Sequence, residues 1–201
     1  RLAFEEFFLF TLATLSLKSA NEHIPNSYVI PESKEKDQFL ESLSYSLTNA
    51  QLRTVSEVAQ DMSGEHLCSR LIQGDVGSGK TVVATIALIN TVIAGYQGAL
   101  MVPTEVLARQ HYEAFLKLKE EYGLACTAIL LTGSNTAKEK RERYAMIASG
   151  EADIIIGTHA LIQERIEYQR LGLVITDEQH RFGVKQREAL TTKGNPPNVL
   201  V

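Results

Sequence analysis

The sequence has little cysteine and no excess of positive charge. Its two cysteines, Cys68 and Cys126, are far apart and lie in apolar, strand-like runs, so we expect two buried free thiols in a reducing cytosol. No spacing of cysteine and histidine indicates a zinc site. The net charge of -4 argues against a domain that holds nucleic acid by charge alone, although backbone N–H groups and a few local cations can still contact it.

The sequence also lacks a long hydrophobic run. The uncharged stretch 7–17 is shorter than the about 20 residues that span a bilayer. Glu5 and Glu6 stand where a signal peptide carries basic residues, and no small-residue cleavage site follows. We therefore expect a helix that packs against its own protein, no membrane partner and a cytoplasmic location.

The composition is that of an ordinary globular protein. The 201 residues are 44% hydrophobic and 22% charged, which indicates one large domain, alone or with an appendage. The chain begins with Arg1 and ends inside an apolar run, so we expect it to be part of a longer protein. We predict a linker helix and loop from an upstream domain at residues 1–36 and the main domain at residues 37–201.

Strands and helices alternate along the main domain. This alternation predicts an α/β fold, with a parallel sheet covered by helices on both faces and the loops after its strands along one edge. In the helix predicted at residues 135–149, we expect one face to carry Ala137, Tyr144, Ala145 and Ala148. The predicted strands are 67–73, 98–102, 127–131, 153–156, 171–176 and one opening at 198, and the predicted helices are 38–47, 49–62, 80–94, 104–122, 135–149 and 184–191.

One loop in this pattern fits the phosphate-binding motif G-x-x-x-x-G-K-[ST]. Its glycines let backbone N–H groups point into one cavity, and the following helix start adds partial positive charge there. Lys80 would reach the β- and γ-phosphates of a nucleotide, and the Thr81 hydroxyl would hold Mg²⁺. The residues predicted to bind ATP here are Gly74, Asp75, Gly77, Ser78, Gly79, Lys80 and Thr81.

An acidic pair, Asp177 and Glu178, follows the apolar strand 171–176. Hydrolysis of a nucleotide needs a carboxylate for Mg²⁺ and a group that orients water. Asp177 suits the metal, through water, because Mg²⁺ keeps much of its hydration shell. Glu178 suits the attacking water. With Lys80, these two are the predicted catalytic residues.

The order of several motifs is similar to that in the RecG family of DNA helicases, in helicase superfamily 2. The acidic pair with the residues after it resembles motif II, and the phosphate loop, with its Asp-Val, resembles motif I. The segment 103–111 resembles motif Ia, 131–134 resembles motif Ib and 157–161 resembles motif Ic. The segment 47–51 resembles the adenine-reading segment, and 1–6 resembles the linker helix.

The resemblance implies a first RecA-like motor lobe, cut before motif III, that binds ATP, Mg²⁺ and forked or branched DNA, mainly through phosphates. It implies as partners a second RecA-like lobe and a wedge domain. Gln51 would read adenine and Tyr45 would stack on it, although Tyr45 could equally pack in the core. Gln179 and His180 would couple the lobes. The implied DNA contacts are Pro103, Thr104, Arg109, Thr132, Gly133, Thr158 and His159, with simple solvation an equal reading for Arg109.

Two other functions fit parts of the pattern. The motor of a transcription-repair coupling factor is similar, but that family usually has Glu at the position of Gln179, and Ser78 also favours RecG. A regulatory P-loop module would bind nucleotide without a motor role, and the acidic pair together with the ordered loops argues against it. Because a partner lobe supplies an arginine finger in such motors, we expect this chain alone to be nearly inactive.

Overall fold

The protein forms a six-stranded parallel sheet with helices on both faces. The structure, a computed structural model, describes residues 24–75, 77–163, 165–177 and 195–201, so the helices expected at 1–20 and 184–191 lie outside it. The helices are α1 (Lys34–Ser42), α2 (Asn49–Met62), α3 (Lys80–Ile93), α4 (Glu105–Tyr122) and α5 (Ala137–Ser149), with a 3₁₀ turn at His159–Ile162. The strands are β1 (Ser69–Arg70), β2 (Gln97–Met101), β3 (Ala128–Leu131), β4 (Ile154–Gly157), β5 (Leu171–Thr176) and β6 (Asn198–Leu200).

The strands lie in the order β1-β6-β5-β2-β4-β3, and all the pairings are parallel. The sheet separates two cores, because successive side chains of a strand point to opposite faces. Ile154 and Ile156 pack with α1 to α4, whereas Ile155 packs with α5 and the 3₁₀ turn. The predicted doubly covered parallel sheet is therefore confirmed.

The helix bounds follow from their caps. Helix α2 has the predicted bounds, because Thr48 and Gln51 form a reciprocal capping box at its start. Helix α1 was predicted at 38–47 and lies four residues earlier, because the Ser33 hydroxyl accepts a hydrogen bond from the Lys36 N–H and caps its charged first turn. The strand predicted at 67–73 is regular only over β1.

The residues predicted to share one face of α5 do not form its buried side. Ala137, Ala145 and Ala148 are exposed, whereas Ile147 is fully buried and Tyr144 is half-buried. This helix lies against β3, the edge strand, and buries only a narrow stripe of its surface. Small size therefore did not indicate the buried side of the helix.

Buried polar side chains hold the amino-terminal ends of the strands. The Gln97 amide donates to the carbonyls of Ile147 and Ala152, and its oxygen accepts from the N–H groups of Gln169 and Arg170. Asn198 accepts from the Cys68 N–H and donates to the Tyr28 carbonyl, which fastens the segment before α1 to the sheet. These bonds make the sheet a rigid support for the loops at its other edge.

The two cysteines are free and buried, as expected. Burial raises the pKa of the Cys68 thiol to about 12, so that this thiol stays protonated and unreactive near neutral pH. Within the described ranges, no helix combines the length and the apolar character needed to cross a membrane.

Candidate nucleotide site and nucleic-acid interface

The predicted site residues that the structure describes lie on one edge of the sheet, where the strands end. The strand order divides this edge into two parts. The phosphate loop follows β1 and Asp177 follows β5, and together they form what we term the nucleotide side. The loops after β2, β4 and β3 adjoin it in that spatial order, and we term them the three-loop surface.

The phosphate loop has the backbone that its glycines predict. Gly77 and Gly79 have φ angles of 82° and 84°, which other residues adopt only with strain. A Cβ atom on Gly74 would lie 2.7 Å from the Ser78 hydroxyl. The Lys80 amino group donates to the carbonyls of Gly74 and Asp75, at 2.6 and 2.9 Å. The lysine is therefore held at the loop that it would serve.

A cavity of about 600 Å³ opens beside the loop, a volume typical of small-molecule sites. Lys80, Thr81 and Asp177 all border it, so the structure brings together the predicted phosphate and metal groups. Asp177 is held in place because its N–H donates to the Met101 carbonyl at 2.9 Å. Among the residues described, no three Cys, His, Asp or Glu side chains form a metal cluster. One hydroxyl and one carboxylate fit Mg²⁺, which is usually held by few protein ligands plus phosphates and water.

Gln51 lies directly against the phosphate loop. Its side-chain oxygen accepts from the Thr48 N–H at 2.8 Å, and its amide nitrogen donates to the Ser78 carbonyl at 2.9 Å. A Cβ on Gly79 would come within 2.2 Å of that nitrogen. Gln51 thus connects the start of α2 to the loop, a contact that the sequence did not reveal.

Tyr45 does not pack in the core, because 47% of its surface is exposed. Partial burial, and the negative charge of Glu121 to a smaller extent, raise the pKa of its hydroxyl. It borders a cavity of about 140 Å³ that shares Thr81 and Thr85 with the larger one. His111, which the sequence analysis did not assign to the site, borders both cavities from α4.

On the three-loop surface, each loop leads into a helical turn. Thr104 caps α4 by accepting from the Leu107 N–H at 3.2 Å, and Arg109 is exposed one turn further along. Thr158 precedes the 3₁₀ turn and is only 9% exposed, whereas His159 is exposed. Pro103 is half-buried beside Thr104.

The loop after β3 differs from the expectation of free N–H groups. Thr132 is 1% exposed, its hydroxyl pairs with that of Ser134, and its N–H donates to the Asn135 side chain at 2.7 Å. The Gly133 carbonyl accepts from Lys140. The exposed groups of this loop are therefore Gly133 and Ser134 rather than the Thr132 side chain.

Glu105 joins two of these loops. Its carboxylate accepts from the Ser134 N–H at 3.0 Å. The pKa of this carboxyl is lowered, first by a hydrogen bond from the Ser134 side chain, then by the N–H groups of Ser134 and Gly133 and by the charge of Arg109. Glu105 lies in the segment that resembles motif Ia, but nothing in the sequence indicated this contact, because its partners lie about thirty positions away. Glu178, Gln179 and His180 lie outside the described residues, so their roles stay predictions.

The fold, the glycine loop and its lysine define a RecA-like domain of the P-loop NTPase class. A family model described as DEAD/DEAH box helicase matches residues 48–195. The chain belongs to the DEAD/DEAH box helicase family, and the predicted helicase motor domain is confirmed. A helicase of this family uses ATP.

Relatives with RecG in their names cover the whole chain. It is 53% identical over 202 residues to the ATP-dependent DNA helicase RecG of Streptococcus pneumoniae, of which it spans 30%. It is 48% identical to the RecG of Bacillus subtilis, of which it spans 29%. It also matches a structure of RecG bound to a three-way DNA junction, with a TM-score of 0.83 and 42% identity over all of this chain and 27% of that one. The resemblance to the RecG family is thereby confirmed.

Proposed function

We propose that this chain is the first motor lobe of an ATP-dependent DNA helicase that remodels forks and branched junctions. The observation that carries the proposal is the arrangement of the sheet edge, where the nucleotide side and the three-loop surface follow adjacent strands. Both sides are held by one rigid sheet, so a change at one can move the other. The RecG relatives support DNA as the nucleic acid, and the structure of RecG on a three-way junction supports branched DNA.

ATP and Mg²⁺ are the proposed ligands of the nucleotide side. The loop N–H groups and Lys80 would bind the phosphates, after Lys80 leaves the carbonyls that it contacts in this structure. Thr81 and Asp177 would hold Mg²⁺, which neutralises the charge that develops on the phosphates. Gln51 and Tyr45 border the same region and are the proposed contacts to adenine. Glu178 is proposed to orient the attacking water.

The three-loop surface is proposed to hold the DNA backbone. Thr104, Gly133 and His159 stand at the exposed starts of α4, the β3 loop and the 3₁₀ turn. Helix starts and short polar loops bind phosphate oxygens without reading sequence. Arg109 is exposed on the same side and adds a cation. The small net charge of the chain fits a grip made of a few local contacts.

The proposal implies a longer protein with a second lobe and a wedge domain, and its test uses that protein. ATP hydrolysis is measured with and without forked DNA, for the wild type and for Glu178→Gln. We expect stimulation by the fork in the wild type, and loss of hydrolysis with retained nucleotide binding in the variant. Hydrolysis that is indifferent to DNA would favour a regulatory P-loop module instead. The relatives' names favour RecG over a coupling factor as the parent.

A further inference from the structure

The loop after β3 already binds an anion that belongs to the protein. The Glu105 carboxylate accepts from the Ser134 N–H at 3.0 Å, and the polar groups of Gly133 and Ser134 lower the pKa of this carboxyl. A Cβ on Gly133 would lie 2.9 Å from the Glu105 oxygen, so a side chain there would push the carboxylate aside. A phosphate oxygen would need the same donors, because both groups are anionic acceptors.

Two further polar groups of this loop are also occupied. The Thr132 N–H donates to Asn135 at 2.7 Å, and the Gly133 carbonyl accepts from Lys140 at 2.6 Å. Donors for a DNA phosphate are therefore obtained by displacing Glu105. The displacement is easy, because Glu105 is exposed and is held only at its carboxylate end. Arg109, one turn along α4, remains within electrostatic reach of the released carboxylate.

We propose that Glu105 is an intramolecular competitor for DNA phosphate: its carboxylate occupies the Ser134 N–H of the Gly133–Ser134 loop until the nucleic acid displaces it. The inference rests on the proposed DNA-binding function of the three-loop surface. Its consequence is a threshold for binding. A small anion gains too little from one site to displace the carboxylate, whereas a DNA strand that also contacts neighbouring loops can do so.

The first test compares Glu105→Gln with the wild-type chain. The ligand is a fluorescein-labelled single-stranded oligonucleotide of about 20 nucleotides, titrated by anisotropy at low salt. Glutamine keeps the size of the side chain and removes its charge, so we expect affinity to rise about threefold to fivefold. The slope of log affinity against log salt should also steepen, by up to about one. Glu120→Gln, which removes an equally exposed charge from the far end of the same helix, should leave both unchanged.

The opposite results are equally informative. Weaker binding by Glu105→Gln would mean that Glu105 holds the loop in its binding shape, and an unchanged affinity would mean that it does not meet the DNA. Either result overturns the inference. Arg109→Ala distinguishes a failure of the inference from a failure of the proposed DNA-binding function. It should weaken DNA binding both in the wild-type chain and in the Glu105→Gln chain. If no variant or wild-type protein binds DNA, the proposed function of the surface fails with the inference.

A second readout follows the donors directly. In ¹⁵N–¹H spectra, the Ser134 amide resonance should move upfield in Glu105→Gln, because its hydrogen bond to a charged oxygen is weakened. On addition of the oligonucleotide, it should return downfield in the variant, and in the wild type it should change less and only at higher DNA concentration, because one anion replaces another there. A Ser134 resonance that DNA leaves unchanged in both proteins would overturn the competition.

Discussion

The nucleotide side and the three-loop surface are opposites in how they hold their own charged side chains. On the nucleotide side, a cation, Lys80, lies on backbone carbonyls. On the three-loop surface, an anion, Glu105, lies on the backbone N–H of Ser134. A phosphate group that arrives at this edge attracts Lys80 and competes with Glu105. The same ligand chemistry is therefore favoured at one part of the edge and opposed at the other.

The two sides also differ in backbone. The phosphate loop depends on Gly77 and Gly79 at positive φ, which no other residue adopts freely. The three-loop surface is built from capped helical turns, in which Thr104 uses its side chain internally. A nucleotide site therefore depends on a few irreplaceable positions, whereas a backbone grip is spread over several replaceable ones.

The largest effect that we expect is at Lys80. Lys80→Ala should weaken binding of a fluorescent ATP analogue with Mg²⁺ by about 10- to 100-fold, the range of a hydrogen bond to a charged group. The melting temperature without nucleotide should hardly change, because, among the described residues, the amino group donates its hydrogen bonds to two loop carbonyls alone. Lys117→Ala, at an exposed position of α4, is the control. A large loss of thermal stability would show that the lysine has a structural role instead.

A smaller effect separates the two glycines. Gly77→Ala and Gly79→Ala should each lower the free energy of unfolding by about 1–2 kcal/mol, because alanine is strained at positive φ. Only the Gly79 variant should also displace Gln51, since its Cβ meets the Gln51 amide and the Gly77 Cβ meets nothing within 4 Å. Chemical denaturation and ATP titration measure both. Equal loss of ATP affinity in the two variants would exclude a role for the Gln51 contact.

The smallest effects compare two helix caps. Thr104→Ala and Thr136→Ala should each reduce stability by about 1 kcal/mol, because each hydroxyl accepts from the N–H three residues along, one of the free N–H groups in the first turn of its helix. Only Thr104→Ala should also weaken binding of single-stranded DNA, since Thr104 stands on the three-loop surface. If Thr136→Ala weakens DNA binding as much, the loss of binding reflects lower stability, and Thr104 is not a DNA contact of the three-loop surface.

Local signals in the sequence predicted the parts of this structure that local chemistry decides. The capping residues of α2, the buried run of β5 and the glycine loop are such cases. The face of α5 could not be read from the sequence, because its exposure depends on its place at the sheet edge. The role of Glu105, the contact of Gln51 with the phosphate loop and the burial of Thr132 were missed for a related reason. Their contacts are made by segments that only the folded sheet brings together.

The pairing of β1 has a consequence for how the protein is made. This strand, which leads into the phosphate loop, lies at the sheet edge and pairs with β6. The Cys68 N–H donates to Asn198, 130 positions later. A ribosome therefore releases the phosphate loop long before the strand that supports it. Because contacts so distant in sequence form late, we expect ATP affinity to develop only as β6 is inserted.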